Sequence, residues 1–239
     1  MAKTVGEIAA ENPSSVRVFE RYGIDYCCGG KVSLAEACRS RGIEPVAVQV
    51  ELEQAAAANP ADQRDWKAAP LAALIDHIVS THHAYLKSEL PRLQFLLDKV
   101  QAAHGARHGD SLAPLGGAFE GLRAELEAHL GKEEMVLFPM IKAMQAAQQA
   151  GRPAPAAHCG SVNNPIRVMV HEHDNAGHAL ESMRASTGNY TLPADACNTY
   201  RALFTGLQEM EADLHRHIHL ENNILFPRAA ELESSKFVA

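Results

Sequence analysis

Two segments of the chain share one pattern: His129-Leu-Gly-Lys-Glu133-Glu-Met-Val-Leu-Phe-Pro139 and, 88 positions later, His217-Ile-His-Leu-Glu221-Asn-Asn-Ile-Leu-Phe-Pro227. Each has a histidine and a glutamate four residues apart, so in a helix both side chains project from one face, about 6 Å apart along the axis. One such pair arises by chance in any histidine-rich helix, and this chain has 13 histidines. Two copies in register, each followed by Leu-Phe-Pro, indicate an internal repeat.

Both segments lie within apolar seams that have the spacing of a buried helix face. Apolar side chains recur every three or four residues on either side of the histidine and the glutamate, as in the core of a helical bundle. A buried carboxylate is costly unless a positive charge compensates it, so the seams predict a cation in the core. Their members are Phe119, Leu122, Leu126, His129, Glu133, Val136 and Met140, and Leu203, Leu207, Met210, Leu214, His217, Glu221 and Ile224.

The larger part of the chain carries four long helical patterns and no strand-like alternation, which predicts an all-α fold. Loops rich in glycine and proline, at 104–114 and 151–161, separate them. Long amphipathic helices joined in this way favour an up-down-up-down four-helix bundle, predicted here as a domain over residues 66–239. The helices are expected at about 70–100, 115–146, 163–186 and 194–232.

Further histidines lie on the seams of the other two helices. The seam of 163–186 passes through His173, and the seam of 70–100 passes through His83, with the adjacent His82 as the alternative. Four imidazoles and two carboxylates suit two metal ions, each with two terminal imidazoles, bridged by Glu133 and Glu221. This donor set is typical of iron or manganese rather than of structural zinc, and it leaves room for an oxo or hydroxo bridge. The six predicted ligands are His83, His129, Glu133, His173, His217 and Glu221.

Other polar residues near these positions have two interpretations each. The six ligands themselves could instead pair as His–Glu hydrogen bonds without a metal. Glu125 and Asp213 precede ligating histidines by one turn, so each is either a hydrogen-bond partner of an imidazole or a solvated carboxylate. Glu172 either lines an access route or is a surface charge. His171 and His219 flank ligands but point off the seams, so each is expected to be exposed or to support a ligand through a hydrogen bond. The remaining histidines are expected at the surface or in ordinary packing: His77, His104, His108, His158, His178 and His215.

Residues 1–65 are predicted to form a separate domain of short helices. A helix is expected from about Asn12 to Tyr22, ended by Gly23, and others at about 33–41 and 45–58. Between them lies Asp25-Tyr26-Cys27-Cys28-Gly29-Gly30, a segment suited to tight or positive-φ backbone. The stretch 55–65 has the composition of a linker.

The order of histidine before glutamate at a spacing of four differs from the Glu-x-x-His pattern of ferritin-like bundles and matches hemerythrin-like domains. Together with the Asp-Tyr-Cys-Cys-Gly-Gly segment at 25–30, the chain closely resembles the iron–sulfur cluster repair di-iron proteins over nearly its whole length. The resemblance implies a non-haem di-iron centre on the six residues named above. It also implies restoration of iron–sulfur clusters damaged by nitric oxide or peroxide, through donation of iron rather than as a turnover enzyme.

Cys27 and Cys28 are adjacent, a geometry that disfavours a disulfide between them. As free thiolates in a glycine-flanked loop they either serve iron transfer, mixed-disulfide formation or docking of a damaged cluster, or they are buried parts of a structural turn. Cys38, Cys159 and Cys197 are single and expected to be inert. Two alternative functions remain: a hemerythrin-like protein that sequesters nitric oxide or oxygen, and a redox or iron sensor acting through a partner.

Composition narrows the class of protein. The 239 residues carry 22 Lys+Arg and 29 Asp+Glu, a net charge of −7, without a long basic run, which argues against nucleic-acid binding. Five scattered cysteines do not suggest a disulfide framework. Neither a signal peptide nor a membrane span is evident, so a cytoplasmic location is expected. The expected partners are damaged iron–sulfur proteins, with nitric oxide or oxygen as small ligands and a homodimer as a candidate assembly.

Overall fold

The chain is all-α, as predicted. The computed structural model describes residues 3–58, 65–153 and 159–234, and in these ranges the only β-type pairing is an isolated bridge between Thr4 and Ser33. His158 and most of the predicted linker (59–64) lie outside the described residues. None of the helices in the described ranges combines the length and the hydropathy needed to cross a lipid bilayer.

The N-terminal region begins with four short helices. They are α1 (Val5–Glu11), α2 (Ser15–Tyr22), α3 (Leu34–Ser40) and α4 (Pro45–Ala58). Capping boxes start α1 and α3: Thr4 and Glu7 exchange hydrogen bonds at the first, and Ser33 and Glu36 at the second. Gly23, with φ of 62°, ends α2 in the left-handed conformation that favours glycine. The predicted helices in this region are therefore confirmed, and α1 is an addition to them.

The remaining helices join into long helical runs, which contain three π-helical turns. The first long run comprises α5 (Leu71–Ile78), a π-turn (Val79–His83), α6 (Ala84–Lys132), a π-turn (Glu133–Leu137) and α7 (Phe138–Gln149). The second part comprises α8 (Asn163–Ser186), α9 (Asn198–Leu220), a π-turn (Glu221–Leu225) and α10 (Phe226–Ser234).

The predicted loop over 104–114 is wrong, because α6 continues through it. Only His108 leaves helical geometry, with φ of −123° and ψ of 25°. Beyond this kink the helix resumes, and Pro114 lies within the resumed stretch. The Gln101 side-chain amide donates to the carbonyl of Leu112 at 2.9 Å and bridges the two sides of the kink.

The chain divides into two compact units. One consists of Met1–Ile78, Pro139–Ile166 and His215–Ala239, and the other of Val79–Phe138 and Arg167–Leu214. This division does not test the predicted domain boundary near residue 65, which stays a prediction.

The second unit is itself a four-helix bundle. Its four segments are 79–107, 109–138, 167–186 and 198–214, and each contacts the next around a closed ring. His83 contacts Glu134, His129 contacts His173, Arg184 contacts Glu211, and Asp213 contacts His82. Since His82 pairs with Asp213 while His104 pairs with Cys197, the first and last segments are antiparallel. The predicted bundle of antiparallel helices is thereby confirmed in this unit.

A π-turn changes which side chains face the core. Val136 and Met140 were expected on the seam, but Val136 is 53 % exposed and Met140 is only partly buried, whereas Leu137 is 1 % exposed. The π-turn at Glu133–Leu137 inserts one extra residue, which rotates all later side chains by about 100°. A uniform spacing of three or four therefore fails after Glu133.

Candidate metal centre

Three histidines surround a buried glutamate in the second unit. The Glu133 side chain is fully buried, and its Oε2 lies 3.4 Å from Nε2 of His83 and 3.4 Å from Nε2 of His129. His173 Nε2 lies 3.1 Å from His129 Nε2. Ligand atoms of His129, Glu133 and His173 all lie within 4.8 Å of one another. The structure thus gathers four of the predicted ligands in one interior cluster.

Outer carboxylates orient two of these imidazoles. His83 donates through Nδ1 to Glu134 at 2.8 Å, and His129 donates through Nδ1 to Glu172 at 2.8 Å. With Nδ1 engaged as a donor, Nε2 of each ring faces Glu133 and is the nitrogen available to a metal. A carboxylate in this position fixes the tautomer that a metal requires.

Each outer carboxylate also pairs with a lysine. Lys87 donates to Glu134 at 2.6 Å, and Lys132 donates to Glu172. Burial raises the pKa of Glu134, but hydrogen bonds from Lys87 and His83 lower it more, so its pKa lies below the ordinary value. The same balance, with Lys132 and His129, places the pKa of Glu172 below its ordinary value. Both carboxylates are therefore anionic acceptors at neutral pH.

The first unit holds the second copy of the repeat. His217 and Glu221 are both fully buried, and His217 Nε2 lies 3.1 Å from Glu221 Oε1. The pair is in the same i, i+4 relation as His129 and Glu133, as the sequence repeat predicts.

The three π-turns coincide with predicted ligands. His83 is the last residue of one, and Glu133 and Glu221 are the first residues of the others. The backbone N–H of Phe138 donates to the carbonyl of Glu133, and that of Phe226 to the carbonyl of Glu221, which is the i→i−5 bond of a π-turn. Prolines 139 and 227 follow directly and lack the N–H that a regular helix would use there. The Leu-Phe-Pro repeat was the available sequence signal for the two π-turns that begin at Glu133 and Glu221.

The residues present fit an iron-type cation. An N···O separation of 3.4 Å exceeds the 2.7–3.2 Å of a good hydrogen bond. Neighbouring ligands about 2.1 Å from one octahedral ion lie about 3 Å apart, which is close to the separations at Glu133. A fully buried carboxylate facing several imidazole nitrogens is the chemistry of a cation site rather than of an apolar core.

The three carboxylates predicted near the ligands, Glu172, Asp213 and Glu125, lie in different environments. Glu172 contacts His129, as described above. Asp213 instead accepts a hydrogen bond at 3.0 Å from Nδ1 of His82, which is buried. Glu125 is exposed and lines a surface pocket with His129, Glu172 and His173. Sequence reasoning missed Glu134, whose only signal was its position beside Glu133.

The Cys27–Cys28 loop is folded around one carboxylate. Asp25 Oδ1 accepts from the backbone N–H groups of Cys27 and Cys28 at 3.0 Å each, and Oδ2 accepts from Gly29 at 2.8 Å. The two thiols are not joined, and their sulfurs lie 3.7 Å apart. Cys27 is buried and Cys28 is partly exposed. Hydrogen bonding to Cys28 and burial raise the pKa of the Cys27 thiol well above its ordinary value.

This loop contacts the π-turn that begins at Glu221, within the first unit. Asn223 Nδ2 donates to the carbonyl of Tyr26 at 3.1 Å, and Asn222 Nδ2 donates to that of Cys27 at 3.4 Å. A Cβ on Gly30 would lie 2.7 Å from the Tyr26 carbonyl oxygen, so the approach requires glycine. His219 packs edge-on to Tyr26, and burial lowers its pKa to about 4, leaving it neutral.

The three single cysteines differ from one another. Cys38 is buried, and burial raises its pKa. Cys159 is partly exposed beside Met140. Cys197 is exposed, and hydrogen bonds from the Tyr200 backbone N–H and from His104 lower its pKa to about 7. Cys197 therefore does not have the environment of an inert thiol.

Two family models match the chain. One, described as a domain of unknown function (ScdA_N), matches residues 1–56. The other, described as the hemerythrin HHE cation binding domain, matches residues 74–229 and includes all six predicted ligands. The second match is to a domain that binds cations, in agreement with the His/Glu clusters.

Several curated proteins are similar along almost their whole length. The iron-sulfur cluster repair protein YtfE of Musicola paradisiaca is 40 % identical over 97 % of this chain and 98 % of its own length. The protein of the same name from Citrobacter koseri is 40 % identical over 94 % and 95 %. The probable iron-sulfur cluster repair protein of Haemophilus influenzae is 39 % identical over 94 % and 95 %.

Proposed function

Since the chain belongs to the iron–sulfur cluster repair family, we propose that it restores damaged iron–sulfur clusters by donating iron held at its histidine–glutamate centre. The targets are damaged iron–sulfur proteins. The observation that carries the proposal is the fully buried Glu133, faced by imidazole nitrogens of His83 and His129. Iron is the cargo in this proposal, so the site residues must bind iron and also allow its release.

Two iron ions are proposed, held by two copies of one motif. His129 with Glu133 and His217 with Glu221 share the i, i+4 spacing, full burial of the glutamate and a π-turn starting at that glutamate. A bridging role for both glutamates follows from this equivalence together with the shortage of carboxylates in the donor set. When bound, the irons supply exchangeable coordination positions for a small ligand or a bridging oxygen. The proposed ligands are His83, His129, Glu133, His173, His217 and Glu221.

The residues around the site keep two of the proposed iron ligands, His83 and His129, in the orientation that binds iron. Glu134 and Glu172 hold the rings of His83 and His129 so that Nε2 faces inward. Their lysine partners, Lys87 and Lys132, partly screen them from solvent. The protein thus orients both imidazoles before iron arrives, which reduces the free energy required to organise the site.

The thiol pair is proposed to act in transfer or in contact with the target. Cys28 is partly exposed, and its neighbour Cys27 is hydrogen-bonded to it. The loop is bonded through Asn222 and Asn223 to the turn that begins with Glu221. A soft sulfur donor is therefore hydrogen-bonded, through its loop, to the turn that begins with a hard carboxylate ligand, which suits movement of iron towards a sulfur-rich cluster.

The proposal is tested by incubating the iron-loaded protein with a dehydratase whose cluster nitric oxide has damaged. Recovery of dehydratase activity should exceed the recovery given by the same amount of free ferrous iron. A Glu133→Gln variant should give no such excess, whereas Glu120→Gln, which changes an exposed acid on the same helix, should match the parent. Equal recovery with protein and with free ferrous iron would contradict the proposal.

A further inference from the structure

One of the three π-turns lacks the sequence feature that accompanies the other two. The π-turns that begin at Glu133 and Glu221 are each followed by a proline, two residues after their last residue. The π-turn over Val79–His83 has Tyr85 at the equivalent position. Tyr85 has the backbone N–H that a regular helix uses, so the backbone itself does not exclude an α-helix here. Side-chain contacts are therefore needed to hold this turn.

The last two residues of this turn are bonded in different directions within the four-helix unit. His82 is buried, and its Nδ1 donates to Oδ1 of Asp213 on α9 at 3.0 Å. His83 is fully buried, and its Nδ1 donates to Glu134 at 2.8 Å. The Nε2 atom of His83 lies 3.4 Å from Oε2 of Glu133. The turn is thus bonded on one side to α9 and on the other to the π-turn that carries both glutamates.

The geometry of the turn makes these contacts depend on each other. A π-turn has one residue more than the corresponding α-helical turn, so relaxation to an α-helix would rotate His82 and His83 together by about 100° relative to Val79. If Val79 keeps its place, this rotation takes His82 away from Asp213 and His83 away from Glu133. The hydrogen bond to Asp213 opposes the rotation without using any atom of His83.

We infer that Asp213, acting through His82, is a positioning residue for His83. By holding the π-turn, Asp213 keeps Nε2 of His83 directed at Glu133. The inference rests on the proposed function only in taking His83 as an iron ligand. The Asp213 side chain is 14 % exposed, and its charge strengthens the hydrogen bond from His82. Because this turn has no proline, it is the π-turn that relaxes when His82 loses its partner.

The first test measures hydrogen–deuterium exchange of single backbone amides, by NMR, in the full-length protein without iron. Asp213→Ala should speed exchange at His83 and Ala84 about fivefold or more, because the turn opens more often. Glu209→Ala removes an exposed acid one turn earlier on α9 and should exchange as the parent does. Asp213→Asn keeps an acceptor for His82 and should lie closer to the parent than Asp213→Ala does. Equal exchange in Asp213→Ala and the parent would overturn the inference.

The second test measures iron affinity by competition with a chelator. Asp213→Ala and His82→Leu should each weaken iron binding about 10-fold, in the range found when the partner of a metal-bound histidine is removed. The double variant should be no weaker than either single variant, because both substitutions remove the same hydrogen bond. Losses that multiply in the double variant would show that the two residues act separately, which contradicts the inference.

A proline separates control of the turn from a general loss of stability. Tyr85→Pro supplies the proline that the other two π-turns have, so in the Asp213→Ala background it should restore iron affinity to within about threefold of the parent. Tyr85→Ala in the same background removes the ring without supplying the proline and should restore nothing. A proline variant that keeps the helical circular dichroism of the parent and still binds iron as weakly as Asp213→Ala would overturn the inference.

The two tests also separate this inference from the proposed function. A parent protein that bound no iron would refute the proposed function, whereas amide exchange in the iron-free protein would still decide whether Asp213 holds the turn. Faster exchange in Asp213→Ala with unchanged iron affinity would contradict the positioning role of Asp213 and leave the proposed function intact.

Discussion

The side-chain amide of Asn223 donates a hydrogen bond to the backbone carbonyl of Tyr26 at 3.1 Å. Tyr26 directly precedes Cys27, and Asn223 lies two residues after Glu221, so one hydrogen bond links the thiol loop to the turn that carries a proposed iron ligand. The same amide is 3.0 Å from Nδ1 of the buried His219, which holds it in position. Order in the loop and order in that turn are therefore coupled.

Substituting Asn223→Ala should free the thiol loop. Loss of one hydrogen bond worth about 0.5–1.5 kcal/mol should raise the alkylation rate of Cys27, now 4 % exposed, by about 2- to 10-fold. Mass spectrometry after timed iodoacetamide treatment measures the rate at each cysteine. Asn163→Ala, at the exposed start of α8, is the control and should leave the Cys27 rate unchanged. An unchanged rate in Asn223→Ala as well would show that the bond does not hold the loop.

Removing either proposed bridging carboxylate should deplete iron. Glu133→Ala and Glu221→Ala each leave the remaining cationic charge under-compensated in a buried site, so iron should fall from about two ions per chain to one or fewer. The thermal midpoint of the iron-loaded protein should fall with it. Elemental analysis of anaerobically purified protein and thermal unfolding give the two measurements. Full iron content in both variants would refute the bridging role.

The outer carboxylates should influence iron affinity without touching iron. Glu134→Ala removes the acceptor that orients His83, and iron affinity measured by chelator competition should fall about 10- to 100-fold. Lys87→Ala removes only the partly exposed partner of Glu134 and should change affinity much less, since such ion pairs contribute about 0–1 kcal/mol. If both variants weakened binding equally, Glu134 would act through charge alone and not by orienting the ring.

The double substitution Cys27→Ser/Cys28→Ser separates repair from simple ligand sequestration. Iron content and nitric oxide binding should remain, because neither thiol is among the six proposed ligands, whereas recovery of a damaged dehydratase should be lost. Serine keeps the size of each side chain, so the Asp25-centred turn should still form. Recovery equal to that of the parent protein would favour the alternative in which the bundle only binds nitric oxide or oxygen.

Much of the site could be predicted because helix periodicity places residues on faces. His129 and Glu133 share a face by their spacing, and His83 and His173 could be chosen because the apolar seams of their helices pass through them. The structure gathers these four as expected. Their neighbours could not be chosen in this way, because Glu134 reaches His83 across 51 positions of sequence and Asp213 reaches His82 across 131.

Two predictions are wrong, one at a π-turn and one where a continuing helix has the composition of a loop. A regular spacing predicts Val136 on the seam, but the π-turn starting at Glu133 turns it outward and brings Leu137 in. Glycines 105 and 109, with Pro114, suggested a loop, yet tertiary packing keeps that region helical except at His108. Neither event follows from helix periodicity or from the propensity of single residues, although the Leu-Phe-Pro segment marks the π-turn.

The π-turns also limit how this centre can be transplanted. A protein engineer who copied His129 and Glu133 onto a straight, regular bundle would reproduce the spacing and still misalign every apolar side chain that follows. The extra residue at the π-turns of Glu133 and Glu221, together with the Leu-Phe-Pro segment of each, must be carried into the recipient scaffold so that an acidic ligand and an apolar interface can coexist on one helix.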